Sequence, residues 1–145
     1  MLDTASTLKR LRKDDSGVSA VEFAILSPLF FALVFAIINF GFYFAAANSV
    51  QQLCSDIARA SVAGLNEEER IAIAHSYLDA NIRKYALVKR EHLSLEVADS
   101  ETEPEQFDVR VEYDGAALPT AAWTRLFRRE PPIIRGVATV KHGGF

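Results

Sequence analysis

The stretch FAILSPLFFALVFAIINFGFYFAAA, residues 23–47, decides the fold because it is apolar on every side of a helix. A helix that rises about 1.5 Å per residue needs roughly 20 apolar residues to cross the hydrocarbon core of a bilayer. This stretch is longer than that, and it lacks the polar stripe that a surface helix of a soluble protein would show. No charged residue occurs between Glu22 and Asp56. The stretch therefore predicts one membrane-spanning helix.

The two flanks of this stretch differ in charge, which predicts its orientation. The N-terminal flank carries four cations within five positions, Lys9, Arg10, Arg12 and Lys13. The C-terminal flank opens with the uncharged polar residues Asn48, Gln51 and Gln52. Because positive flanks stay on the cytoplasmic side, we expect a cytoplasmic N-terminus and an extracytoplasmic C-terminal part.

Three residues inside the apolar stretch are unusual for it, namely Pro28, Asn39 and Gly41. Membrane helices tolerate proline where neighbouring groups satisfy the freed backbone carbonyl. Small and polar residues are enriched where membrane helices contact each other. We interpret all three as membrane-packing residues.

Composition excludes several function classes. The chain has 145 residues, a net charge of −3 and three histidines. That charge does not favour nucleic acid as a partner. One cysteine, Cys54, excludes an intramolecular disulfide. The sequence shows neither the paired spacing of metal ligands nor a catalytic motif. We therefore expect no enzyme activity, no metal, no cofactor and no small-molecule substrate.

Beyond the apolar stretch the sequence predicts that the helix continues and becomes amphipathic. Apolar residues recur at helical spacing on one face, at Val50, Leu53, Cys54, Ile57 and Ala58. Polar residues occupy the other face. Gly64 is a candidate C-terminal cap. We predict a single helix from near Val18 to about Ala63, first membrane-spanning and then amphipathic.

A second helix is predicted to begin at NEEER, residues 66–70. Asn66 is a favoured N-cap residue, and Glu69 stands three positions later, where the carboxylate of a capping box belongs. One apolar face follows, formed by Ile71, Ala74, Leu78 and Ile82. This helix is expected to end near Tyr85.

The final third of the chain alternates with a period of two, which is typical of strands. The candidate strands are LSLEV (93–97), FDVRVEY (107–113) and IIRGVATV (133–140), and a short helix is predicted at 119–127. An acidic loop holds Asp99, Glu101, Glu103 and Glu105, but it lacks the spacing and glycine of an EF-hand, so calcium has little support. We predict an α+β fold in which a small antiparallel sheet packs on the amphipathic part of the first helix.

The residues that begin the apolar stretch resemble a known leader. A basic segment, residues 9–13, comes before DDSGVSAVEFAILSP (14–28), in which a glutamate stands five positions after the glycine. This pattern resembles a type IV prepilin leader. AVEFAILSPLFF, with Glu22 followed by Phe23, is similar to the signature of TadE-like pseudopilins of the tight-adherence (Tad/Flp) pilus system. The TadE and TadF branches share this leader. The resemblance covers about residues 10–65.

The resemblance implies a minor pseudopilin with a pilin-like fold, anchored by a single pass in the inner membrane. A prepilin peptidase would cut between Gly17 and Val18. The implied organisation is a leader (1–17), a transmembrane helix (18–47) and a periplasmic domain (48–145) that enters the pilus or stays at its base. The implied partners are the peptidase, other pilin subunits, the pilus assembly platform and membrane lipid.

The carboxylate of Glu22 has a physical reason to stand where it does. Cleavage would create an ammonium group on Val18, which is one helical turn from Glu22 on the same face. A carboxylate within a membrane is tolerated when it is paired, so an incorrectly staggered subunit would be penalised. We interpret Glu22, with Phe23, as an assembly residue. The alternative is a carboxylate that only lies at headgroup depth.

Two other readings of the apolar stretch remain open. Ala45-Ala46-Ala47 fits the small residues before a signal peptidase cut, which would release residues 48–145 as a secreted domain. Against this, a signal peptide has a shorter apolar region of about 7–15 residues. The second alternative is an uncut membrane anchor unrelated to pili.

Overall fold

The computed structural model describes residues 15–100, 103, 105–119, 121 and 130–141, and the description below is confined to them. Two α-helices and three β-strands follow in chain order, α1 (Asp15–Ser61), α2 (Glu67–Asn81), β1 (Leu93–Asp99), β2 (Gln106–Asp114) and β3 (Ile133–Lys141). Short 3₁₀ turns cover Ile82–Lys84, Arg90–His92 and Gly115–Ala117. The chain divides into two compact units, with the boundary between Ile38 and Asn39. The structure confirms the predicted α+β fold.

Helix α1 has two halves that differ in burial. Most side chains in residues 18–45, which we call the exposed half, are exposed, including Phe23, Leu33 and Phe44. Residues 46–61, which we call the packed half, bury one face completely, beginning at Ala46. Of the helices that the structure describes, only α1 is long and apolar enough to cross a membrane, by its length and composition.

Helix α2 begins as predicted. Asn66 accepts a hydrogen bond from the backbone N–H of Glu69 through its side-chain oxygen, at 2.8 Å. The Glu69 carboxylate accepts from the N–H of Leu65 at 2.9 Å, one residue earlier than in a standard capping box. Ala74 and Leu78 are fully buried. The α-helix ends at Asn81 and tightens into a 3₁₀ turn, so the predicted end near Tyr85 is confirmed.

The three strands form one antiparallel sheet in the order β1-β2-β3. Alternate residues of β2 are fully buried, namely Phe107, Val109, Val111 and Tyr113. This face packs on the packed half of α1, where the Cys54 thiol donates to the carbonyl oxygen of Val109 at 3.2 Å. Gln51 Nε2 donates to the carbonyl oxygen of Val137 in β3 at 3.1 Å. The predicted helix–sheet packing is confirmed.

The prediction for Gly64 was wrong. Helix α1 ends at Ser61, and no described glycine has the positive φ of a left-handed cap. A Cβ at Gly64 would lie 2.7 Å from the backbone nitrogen of Arg70. Gly64 is therefore needed for the close approach of α2 to the turn after α1, because any side chain would collide with the backbone of α2.

Arg70 is buried, which was not predicted for a cation in NEEER. It forms an ion pair with Asp99 at the end of β1, and its guanidinium lies 5.3 Å from the ring centroid of Phe107. The ion pair occupies one carboxylate of the candidate calcium loop, and Glu101 lies outside the described residues. Residues 122–129, which hold most of the helix predicted at 119–127, also lie outside them.

Candidate functional site

The predicted cleavage site lies in the first turn of α1. Both Gly17 and Val18 are helical, and no described atom outside the neighbouring helix backbone lies within 4 Å of where a Cβ would stand on Gly17. A protease binds its substrate as an extended strand, so cleavage between these residues requires the first turn to unwind.

Val18 and Glu22 are separated by one turn of α1, so the structure places them on one helix face as predicted. Both are exposed, and so is Phe23, which points about 100° away from Glu22 around the helix axis. The face can therefore present a carboxylate one turn from residue 18, beside an aromatic ring. Whether these residues take part in processing or assembly stays a prediction.

The three candidate packing residues do not share one face of α1. Pro28 and Asn39 are eleven positions apart, which returns them to nearly the same face at about 100° per residue. Gly41 is two positions after Asn39 and lies on a nearly opposite face. Asn39 is half-buried, whereas Pro28 and Gly41 are exposed. A single contact surface can therefore include Pro28 and Asn39 but not Gly41.

Two observations bear on metal and nucleophilic chemistry in the outer unit, which comprises residues 39–141 as far as they are described. Its described residues hold no group of three or more metal-ligating side chains. Burial raises the pKa of the Cys54 thiol to about 11, so this cysteine is protonated and unreactive at neutral pH. Burial and the hydrogen bond to Asp56, 2.7 Å long, also raise the pKa of Tyr85 above its usual range.

Several residues that hold the outer unit together were not found from the sequence. Gly136 is one, because a Cβ there would lie 3.1 Å from Cys54 Cβ and 3.2 Å from the carbonyl oxygen of Val50. Leu87 is another, with a positive φ of 67°. Its carbonyl oxygen accepts from the Tyr113 hydroxyl at 2.8 Å. A glycine inside a strand is the one signal that pointed to a close backbone approach.

Comparison with known proteins connects the exposed half of α1 to a family. Residues 17–59 match the family model described as TadE-like protein. The match confirms the resemblance to TadE-like proteins over these residues, and it indicates a protein associated with the tight-adherence pilus. No curated protein and no solved structure matches the chain.

Proposed function

We propose that this chain is a non-catalytic minor pseudopilin of the tight-adherence pilus. It is inserted in the inner membrane by the exposed half of α1, with the N-terminus in the cytoplasm and the outer unit in the periplasm. A prepilin peptidase cuts it after Gly17. The processed protein then associates with other pilin subunits and the assembly platform, and it primes or caps the filament.

The observation that carries this proposal is where the family match lies. The match begins at Gly17, which is the last residue before the expected cut, and it continues through Glu22 and Phe23. It ends at residue 59, close to the end of α1 at Ser61. The similarity is therefore concentrated in the part of the chain that a peptidase and neighbouring subunits would contact, rather than in the sheet.

Gly17 also fits the requirement that the first turn unwind. Glycine within a helix is less favourable than alanine by about 0.5–1 kcal/mol, which weakens this turn. Opening the turn exposes the bond between Gly17 and Val18 and disturbs little else, because nothing packs within 4 Å of the Gly17 Cβ position. The same glycine leaves room for a protease cleft.

The mature N-terminus tests the proposal. The membrane-extracted protein should have an N-terminal sequence that begins at Val18 and the intact mass of residues 18–145. Gly17→Trp should leave the full-length precursor, because its side chain must fit where only hydrogen stood. Leu33→Ala, in the middle of the exposed half, is the control and should be cut normally. An N-terminus at Asn48, or equal processing of Gly17→Trp, contradicts the proposal.

The secretory alternative is disfavoured by packing. A cut after Ala47 would fall inside α1 and would remove Ala46, which is completely buried in the core of the outer unit. Tyr43 and Ala47 pack partly against the same core. A released domain would start with a frayed helix end and an exposed apolar edge. An uncut anchor is compatible with this packing and is distinguished by the mass measurement alone.

A further inference from the structure

Taken in chain order, the helices and strands of the outer unit alternate in direction. Each connection between them therefore lies at a definite end of this unit. Val50 lies beside Gly136, whereas Gly64, in the turn after α1, lies beside Arg70, which covers the Phe107 ring. Phe107 pairs with Val140. Therefore α1 and β3 run in the same direction. Since β2 is antiparallel to both neighbours, β1 also runs this way.

The connection between α2 and β1, residues 82–92, consequently lies at the end of the outer unit where α1 enters. Leu95, Val111 and Gly136 are paired across the three strands and form one row of the sheet. Strand β1 begins at Leu93, two residues before this row. Two strand residues correspond to about 7 Å. From Val50, which contacts that row, a similar descent of about 6 Å along α1 reaches Ala46. The connection thus lies toward the Ala46 end of the packed half, and its Tyr85 hydroxyl donates to Asp56 of that half at 2.7 Å.

The 82–92 connection is the most basic part of the described outer unit. It carries four exposed cations within eight positions, Arg83, Lys84, Lys89 and Arg90. Three carboxylates lie near these cations: Asp79 pairs with Arg90, Glu91 is 3.5 Å from His92, and Asp56 accepts from the Tyr85 hydroxyl and pairs with Arg59. Asp114, at the same end of the sheet, accepts from the N–H of Ala116. With Arg59 counted, five cations face four carboxylates, so one net positive charge remains on this surface.

The connection is also held in a fixed shape. Tyr113 donates to the carbonyl oxygen of Leu87, and the N–H of Val88 closes a turn onto Tyr85. Val88 is buried below the cations. A basic surface that is already ordered loses little conformational entropy when it binds an anion.

The opposite end of the outer unit has the opposite charge. The first turn of α2 presents three exposed acids, Glu67, Glu68 and Glu69, and the connection after β1 adds Glu103 and Glu105. Of these two described surfaces, the positive one therefore lies at the end of the outer unit where α1 enters, and the negative one lies at the opposite end. Phe40 and Phe44, both exposed, lie at the end where α1 enters.

We infer that the 82–92 connection is a binding surface for the headgroups of anionic phospholipids. The arrangement fits a bilayer better than a protein, because the cations lie beside exposed apolar residues of α1 that themselves require lipid. Each basic residue near an anionic surface contributes about 1 kcal/mol, which corresponds to about five-fold in binding. This electrostatic attraction decreases over a Debye length of about 8 Å at physiological salt. This inference rests on the proposed membrane anchor and not on a role in pili.

Acetylation of lysines tests the inference on the full chain. The protein is reconstituted at one copy per nanodisc, in phosphatidylcholine alone or in equal parts of phosphatidylcholine and phosphatidylglycerol. Lys84 and Lys89 should be acetylated several-fold more slowly in the anionic discs, because headgroups cover them. Lys141, at the other end of β3, is the internal control and should react equally in both. High salt should remove the difference.

A pair of variants makes the test specific to this surface. Arg83→Gln removes one cation of the connection and should reduce the protection of Lys89 about five-fold. Arg110→Gln removes one cation from the exposed face of the sheet and should leave the protection unchanged. Equal effects of the two variants would show a response to net charge only and would overturn the inference.

Two other outcomes also overturn it. Equal acetylation of Lys84 and Lys89 in both kinds of disc would show that lipid charge does not matter to this surface. Protection that appears only with two copies per disc, whatever the lipid, would assign the surface to the acidic end of a neighbouring subunit. Failure of the chain to enter discs at all contradicts the proposed anchor instead, so the two failures are distinguishable.

Discussion

The two halves of α1 belong to one continuous helix but are determined by different physical requirements. In the exposed half, large apolar residues such as Leu33 and Phe23 keep more than half of their surface accessible. In the packed half, Val50, Leu53 and Ile57 are completely buried under a sheet. The exposed half has the length and hydropathy of a membrane-spanning helix, and in the proposed function lipid surrounds it. The packed half is apolar because of specific neighbours in the chain.

The difference determines what each half tolerates. Lipid is fluid, so the exposed half needs apolar character and length rather than a particular shape. A protein core is packed as densely as an organic crystal, so the packed half needs particular volumes at particular positions. The same substitution should therefore have different consequences in the exposed half and in the outer unit, and three experiments test this from the largest expected effect to the smallest.

The largest difference is expected from truncating one leucine in each half. Leu53→Ala should lower the free energy of unfolding of the outer unit by about 2–5 kcal/mol, because it removes buried surface and leaves a cavity. Leu33→Ala, at a residue 58% exposed, should change it by less than about 0.5 kcal/mol. Urea unfolding of the full chain in detergent, followed by near-UV circular dichroism, measures both. Similar losses of unfolding free energy from the two variants would contradict the proposed difference between the two halves of α1.

The fold could be predicted to a large extent because its signals are local. The alternation in FDVRVEY determines which side of β2 is buried, and Asn66 caps α2 with its own side chain. The burial of Arg70 could not be predicted. It depends on Asp99 and Phe107, which approach it only after the sheet forms. The role of Gly64 was missed for the same reason, since the atoms that exclude a side chain belong to a different helix.

The second experiment places a methyl group on one glycine from each environment. In Gly136→Ala the new Cβ meets Cys54 Cβ and the Val50 carbonyl oxygen, which belong to the helix and cannot move separately. We expect a loss of about 1–3 kcal/mol, as for other overpacked cores. Gly41→Ala meets nothing within 4 Å, so the better helix propensity of alanine should make it neutral or slightly stabilising. Thermal unfolding of the full chain compares them, and a stable Gly136→Ala would show that α1 can move away from the sheet.

The candidate site was less predictable than the fold. The spacing of Val18 and Glu22 requires only the helical period, so their shared face follows from the sequence. The same helical period places Asn39 and Gly41 on nearly opposite faces of α1. A role in helix packing must therefore be assigned to each of them separately. The conformation of Gly17 could not be predicted, because glycine indicates backbone freedom but does not show which conformation the chain adopts; the structure shows it as helical.

The smallest effect on folding is expected at Glu22, where the effect on assembly should be complete. Glu22→Gln keeps the shape of the side chain and lies far along α1 from the buried core, so unfolding of the outer unit should not change. Processing to Val18 should persist, because the scissile bond is five residues before Glu22. Association with pilin partners should fail, because the Val18 ammonium of a neighbour would lie in the membrane without a counter-charge. Crosslinking of the processed variant to its partners, with a count of pili, measures this. Glu96→Gln, on the exposed face of the sheet, is the matched control and should assemble normally. If processed Glu22→Gln assembles as well as Glu96→Gln, then the carboxylate does not set the stagger between subunits, and the exposed half of α1 is specified by apolar character alone.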